Sequence, residues 1–302
     1  MSTVVVVGSK GQLAHDLIPA WGRRRPVDHL VGLTHADVQV ESMASVRSAL
    51  ERRRPDLVIN TAAYHRVDEV EDEPEQAFMV NAVGVRNLAL GCRELDATLL
   101  HVSTDYVFSG RSRRPYTEVD PVDPVNVYGV SKVAGEMILR FSLPKHFIVR
   151  SSGLYGTAGS SGKGGNFVET MLRLAATGQP IKVVDDQVLT PTPTRALAEQ
   201  IVELASTDRY GTYHATCEGE CSWHEFAAEI FRQASLQPVL RAQTTAESGA
   251  RAIRPAYSVL ENRGLKELGL DRMPHWREGL ASYLAARPAL SESQTAVRPG
   301  GA

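Results

Sequence analysis

A chain of 302 residues is long enough to bury a sizeable core, as one large domain or as two unequal lobes. With 43% hydrophobic and 23% charged residues it has ordinary globular composition, and no apolar run approaches a membrane span. A formal net charge of −2 supplies no field to gather nucleic acid or an anionic membrane, so neither is expected as a partner.

Met1-Ser2-Thr3 runs straight into Val4 with no charged leader or cleavage signal, and the three cysteines are an odd number for a disulfide framework. A cytoplasmic location is therefore expected. Val4 to Val7 is a continuous β-branched run, as in a central strand covered on both faces. It breaks at Gly8-Ser9-Lys10-Gly11-Gln12-Leu13, and a helix follows through Leu17 and Ile18. Strand, glycine turn and helix let backbone N–H groups and a helix N-terminus meet a pyrophosphate, which makes residues 8–13 candidate dinucleotide contacts. The second strand, Leu30 to Leu33, ends at Thr34-His35. NAD-binding versions place an acid there to hold the ribose hydroxyls. Thr34 is not acidic and Asp37 comes three residues late, whereas Lys10 and His35 suit a 2′-phosphate. NADPH is the expected cofactor, with NADH left open.

A helix from Ser42 to Leu50 leads to the strand Leu57–Asn60, and the small residues Thr61-Ala62-Ala63 leave room for the adenosine half of a cofactor. Val67 to Glu75 is strongly acidic and reads as a solvated surface, not a metal site. One helix is expected from Pro74 to about Leu95. Leu99 to Val102 is a short apolar strand stopping at Ser103-Thr104-Asp105, and Tyr128 and Lys132 open a helix that closes near Leu143. Four apart, their phenol and ammonium share one helix face. A strand-end hydroxyl facing such a pair is a proton-transfer site, with Thr104, Tyr128 and Lys132 as candidate catalytic residues.

Phe147 to Arg150 is the next strand, and strand–helix alternation to this point predicts a parallel sheet covered on both faces. Gly153 to Gly165 is a Gly/Ser-rich loop long enough to be functional. A helix is expected at 166–177, strands at 181–184 and 211–214, a helix at 194–206, and another opened by the capping box Ser222-Trp223-His224-Glu225. The expected fold is α/β, a Rossmann-type doubly wound parallel sheet with a smaller C-terminal α/β substrate lobe. Residues 1–150 form the dinucleotide-binding domain, 182–208 return to it, 151–181 and 209–286 form the lobe, and 287–302 form a flexible tail. His214, Cys217, Cys221 and His224 invite a zinc reading on spacing, but His224 belongs to the capping box, and no metal is assigned.

These motifs in this order resemble the extended short-chain dehydrogenase/reductases, and within them the dTDP-4-dehydrorhamnose reductase family. The resemblance rests on Gly8 to Leu13, Arg54 to Asn60, Ala62-Ala63-Tyr64, Val67-Asp68, Ser103 to Phe108, Asn126 to Gly129, Ser131-Lys132, Asp186-Gln187, Pro191-Thr192, Ser222-Trp223 and Arg254-Pro255. It implies reduction of the C4 ketone of a dTDP-linked 4-keto-6-deoxyhexose. Tyr128 would be the general acid, Lys132 would lower its pKa and hold the nicotinamide ribose, and Thr104 would orient the carbonyl. The implied cofactor contacts include Thr34, Val40, Ala62, Ala63, Tyr64 and Val102; the implied substrate contacts are His65, Val67, Thr104, Asp105, Gly153, Asn166 and Tyr257. A homodimer is also expected.

The chain departs from the usual family pattern at several of these places. The family usually carries Trp at Gly153, Thr at His65, Asn at Tyr257, Arg at Val259 and a Gly near Leu189-Thr190. The pocket is expected to be rebuilt for a related sugar. Two other readings stay open: a nucleotide-binding regulatory subunit resembling the methionine adenosyltransferase β subunit, and an epimerase or dehydratase of the same superfamily.

Overall fold

The computed structural model describes residues 1–158 and 165–287. In chain order come β1 (Thr3–Val7), α1 (Gln12–Arg24), β2 (His29–Leu33), α2 (Met43–Glu51) and β3 (Leu57–Asn60). A short α3 (Val67–Val70) precedes α4 (Pro74–Phe78) and α5 (Gly84–Glu94), which are joined by a π-helical turn at Met79–Val83. Next are β4 (Thr98–Thr104), α6 (Val127–Ser142), β5 (His146–Ser151), β6 (Leu154–Tyr155) and α7 (Phe167–Ala175). Then follow β7 (Ile181–Val184), β8 (Val188–Leu189), β9 (Thr192–Pro193), α8 (Thr194–Ala205), β10 (Gly211–His214) and β11 (Cys221–Ser222). The last elements are α9 (Trp223–Gln233), β12 (Leu240–Gln243), α10 (Arg263–Glu267) and α11 (Trp276–Ala286).

Six strands form one parallel sheet in the order β10-β5-β4-β3-β1-β2. The β-branched run of β1 is buried throughout because both faces are covered. Val4 and Val6 pack with Leu13, Leu17, Leu197 and Ile201 of α1 and α8, while Val5 and Val7 pack with Ala49, Leu88 and Ala89 of α2 and α5. Chain order reverses at β1, which lies between β2 and β3, so a crevice opens beyond the carboxyl ends of these strands. Among the described residues no helix is long and apolar enough to cross a membrane.

Two domain boundaries differ from the sequence expectation. β7 pairs with β12 instead of joining the main sheet, because Ile181 and Val183 belong to the core of the C-terminal lobe with Phe226 and Ile230. Of residues 182–208, the helix α8 is what packs on the dinucleotide domain. Conversely β10, assigned to the lobe, is the edge strand of the main sheet, with Tyr213 in the core beside Phe147. A four-residue apolar strand reads alike in either sheet. Beyond Arg287, the expected tail lies outside the described residues.

The predicted helix over 74–95 is interrupted by its π turn. That turn aims Asn81 inward, where its Oδ1 accepts the Tyr64 N–H at 2.9 Å and its Nδ2 donates to the Tyr64 carbonyl at 2.9 Å and the Ser131 hydroxyl at 3.0 Å. A single π turn is a recurrent device at functional sites, and here it pins the segment after β3 against the Tyr128 helix. Gly135 permits the approach, since a Cβ there would collide with the Asn81 carbonyl.

Candidate active site

A cavity of about 780 Å³ occupies the crevice, within the size range of small-molecule sites. Gly8, Lys10, Gly11, Gln12, Leu13, Thr34, Val40, Ala62, Ala63, Tyr64 and Val102 line it, as do Thr104, Tyr128 and Lys132. The glycine turn is built for close approach. Gly8 has φ +83°, and a Cβ on it would sit 2.9 Å from the Ala62 nitrogen. No side chain caps α1, so its first-turn N–H groups face the crevice as donors to an anion. Asp37 does not turn toward a ribose: its Oδ2 accepts both the N–H (2.9 Å) and the hydroxyl (2.7 Å) of Thr34. Lys10 and His35 line the same end. These residues fit a phosphorylated dinucleotide.

Ser9 is the exception among the expected cofactor contacts. Its N–H donates to the Leu33 carbonyl at 3.0 Å and its Cβ packs over Gly32, so it faces β2 and not the cavity.

The catalytic candidates converge. Thr104 donates its hydroxyl proton to Asp105 Oδ1 at 2.9 Å and accepts the Tyr106 N–H at 3.2 Å. Tyr128 lies against Thr104 on the cavity wall. Burial pushes the Tyr128 phenol up, with the neighbouring Thr104 hydroxyl acting the other way and the Asp105 charge adding to the rise. The expectation that Lys132 lowers the Tyr128 pKa is thus not met in this arrangement. Lys132 instead donates to the Val102 carbonyl at 2.7 Å and meets His101 Nε2 at 3.0 Å. Burial pulls its ammonium down to about 8, against the raising influence of Glu136. Tyr128 is therefore a protonated phenol across the neutral range, suited to donate.

Asp105 is 4% exposed. Burial raises its pKa, while hydrogen bonds from Ser258, Ser152 and Thr104 oppose the rise. Ser152 donates to it at 2.8 Å, so its carboxyl is a buried anchor for the strand end, the structural alternative for this residue. The remaining sugar-side candidates divide. His65, Val67, Gly153 and Asn166 line the cavity. The Asn166 amide, however, caps α7 through the Glu169 N–H and donates to the Gly156 carbonyl and the Tyr283 hydroxyl, which makes it a wall support. Tyr257 is outside the lining. It pairs with Val188 in extended backbone, and its hydroxyl donates to Glu220 at 2.6 Å, while its alternate neighbour Ser258 faces inward.

Sequence reasoning marked the far wall at Leu189 through the departure there, but did not assign Phe167, Gln187, Val188, Trp223 and Ser258 to it. It also missed Asn60 and His101 behind Lys132, for which the one signal was a histidine inside an apolar strand. Zinc finds no support at His214, whose Nδ1 faces the Tyr116 carbonyl and whose Nε2 faces Arg150.

Two of the departures from the family pattern touch. Gly153 has φ +55°, and a Cβ on it would come 2.8 Å from Leu189 Cδ1. The Leu189 side chain occupies the space beside Gly153. Gly153→Trp alone is expected to overpack the wall and cost about 1–3 kcal/mol, and Leu189→Gly in the same chain is expected to recover part of that loss. Thermal melts of the two variants check this; equal melting temperatures would separate the positions.

Residues 1–288 match the family model for the RmlD substrate binding domain. The chain is 42% identical over 289 residues to a dTDP-4-dehydrorhamnose reductase of Streptomyces griseus, covering 93% of each chain. It is 40% identical over 287 residues to the spore coat polysaccharide biosynthesis protein SpsK of Bacillus subtilis, covering 95% of this chain and 98% of that one. Among solved structures it resembles the dTDP-4-dehydrorhamnose reductase of Bacillus anthracis in complex with NADP, with a TM-score of 0.88, 36% identity, and 94% and 99% coverage. Likeness at these identities, along nearly the whole of every chain compared, means that this protein belongs to the RmlD substrate binding domain family.

Proposed function

We propose that this chain is an NADPH-dependent reductase of the C4 ketone of a dTDP-linked 4-keto-6-deoxyhexose. The observation that carries the reading is that Thr104, Tyr128 and Lys132 line one cavity with an uncapped glycine-turn helix. The relatives named as reductases, one in complex with NADP, support it.

The lining residues then take these roles. The first turn of α1 and the Gly8 turn hold the pyrophosphate, and Lys10 with His35 take a 2′-phosphate. NADPH, when bound, supplies a hydride. Reduction leaves negative charge on the ketone oxygen, and Tyr128 neutralises it by giving up its phenolic proton as general acid. Thr104 orients the carbonyl by turning its hydroxyl proton from Asp105 to the ketone oxygen. Lys132 holds the ribose and returns a proton to the tyrosine. The far wall of Phe167, Leu189 and Trp223 presents an apolar face suited to the 6-deoxy end of such a sugar.

A dehydratase reading is not favoured, because Asp105 is engaged by three hydroxyls and is not free to take a proton from the sugar. The same proposal includes a homodimer. Val130, Met137 and Phe141 are exposed along one face of α6, and a monomer at every concentration in analytical ultracentrifugation would remove that part.

The test is NADPH oxidation against a panel of dTDP-4-keto-6-deoxyhexoses, with product stereochemistry read by NMR. Turnover of at least one member is expected, with slower turnover on NADH. No oxidation with any member would overturn the assignment and favour a non-catalytic nucleotide-binding role.

A further inference from the structure

Behind the lysine lies a buried chain of side chains that the mechanism above does not use. Asn60 at the end of β3, His101 in β4 and Lys132 in α6 are each at most 1% exposed. Asn60 Oδ1 accepts the Ala62 N–H at 3.1 Å, which fixes the amide with its Nδ2 toward His101 Nδ1, also at 3.1 Å. An amide nitrogen is only a donor, so Nδ1 must be the accepting, unprotonated nitrogen. A neutral imidazole then carries its proton on Nε2, and Nε2 faces Lys132 Nζ at 3.0 Å.

An ammonium has three N–H groups and no lone pair. Against it the Nε2–H would be donor facing donor, whereas a free amine at Nζ would accept it. Rotating the Asn60 amide would relieve the clash but would turn an NH₂ toward the Ala62 N–H in the cavity wall. Making His101 doubly protonated is worse still: burial first, and then the Lys132 charge, push its pKa well down.

We propose that Asn60 and His101 are positioning residues that weaken the hold of Lys132 on its third proton, by aiming an imidazole N–H at its Nζ. The lysine is thereby a proton carrier rather than a fixed cation. Its lowered affinity, to about 8, runs the same way. The other groups near it are consistent. Glu136, one turn on in α6, draws the ammonium form, but Arg150 of β5 pairs with that carboxylate at 2.6 Å and tempers it. Tyr128, on the same face, is a neutral phenol.

The functional part of this proposal rests on the reductase reading, and its test separates the two. ¹⁵N NMR of the wild-type protein reads the His101 tautomer without any turnover. Nε2-protonated neutral imidazole at pH 7 is expected; Nδ1-protonated or doubly protonated imidazole would overturn the proposal and leave the reductase assignment standing. The second arm is the pH profile of kcat. Activity that needs the ammonium falls as pH rises through its pKa, so the wild-type alkaline limb is expected near 8. His101→Gln can offer a carbonyl to the ammonium, and the limb is expected to move up by about one pH unit, a tenfold gain in proton affinity. A limb that stays in place in a folded His101→Gln protein would overturn the proposal. Should that variant not fold, the wild-type spectrum decides alone.

Discussion

Tyr128→Phe is expected to lower kcat by about 10² to 10⁴ fold while leaving NADPH affinity unchanged. The hydroxyl is placed in the cavity to give a proton and is held in its protonated form. Burial keeps the phenol un-ionised, and the phenol lies beside the Thr104 hydroxyl at the strand end. The variant removes one oxygen and keeps the ring, which stacks edge-on to Tyr106 with centroids 6.0 Å apart. The pocket shape is thereby preserved and the loss is chemical. Stopped-flow measurement of the hydride step, with cofactor affinity by fluorescence titration, checks both halves. Full turnover in the variant would remove the tyrosine from the mechanism. A matched loss of cofactor affinity would make its role structural.

The second large effect concerns stability. Arg150→Leu is expected to cost about 3–5 kcal/mol and to lower the melting temperature by roughly 10 °C. Arg150 and Glu136 are 1% and 1% exposed, and their fork closes at 2.9 Å and 2.6 Å. Ser103 donates to the same carboxylate at 2.6 Å, and the guanidinium lies 5.2 Å from the Phe108 ring centre. Removing the arginine leaves the interior carboxylate to the more distant, half-exposed Arg140 at 3.6 Å. The penalty is that of a poorly compensated buried ion, not the net worth of the pair. Hence Glu136→Leu combined with Arg150→Leu is expected to be less destabilised than Arg150→Leu alone. Differential scanning calorimetry of the single and double variants decides this, and a double variant weaker than the single would contradict it.

The parts of the site that are local in sequence were the legible ones. A β-branched run, a glycine turn and a helix announce the crevice at β1, because strand burial and anion approach both depend on near neighbours. Tyr128 and Lys132 declare a shared face by their spacing alone. What could not be read is carried by contacts between distant segments. Asn60 meets His101 across 41 residues, and Asp105 is held by Ser152 across 47. Nothing within either segment signals the partner. Tyr257 and Ser258 show the same limit at one-residue resolution: alternation along an extended segment turns one side chain inward and its neighbour outward, and register with Val188 decides which. The exchange of roles between β7 and β10 has the same origin, since short apolar strands carry no mark of the sheet they join. The pKa of Tyr128 is a further case. Spacing suggests a lysine beside the phenol, but the observed lysine bonds lead back into β4, and burial governs the tyrosine.

In the proposed reaction, hydride passes to a sugar C4 carbonyl in the cavity that Thr104, Tyr128 and Lys132 line. Its most direct test is single-turnover reduction of a dTDP-4-keto-6-deoxyhexose with NADPH deuterated at the transferring position of the nicotinamide, followed by NMR of the sugar. One deuterium at C4 of the product for each NADPH consumed is expected, and Tyr128→Phe should slow its appearance. Sugar returned without deuterium at C4, or altered with no NADPH consumed, would contradict the account.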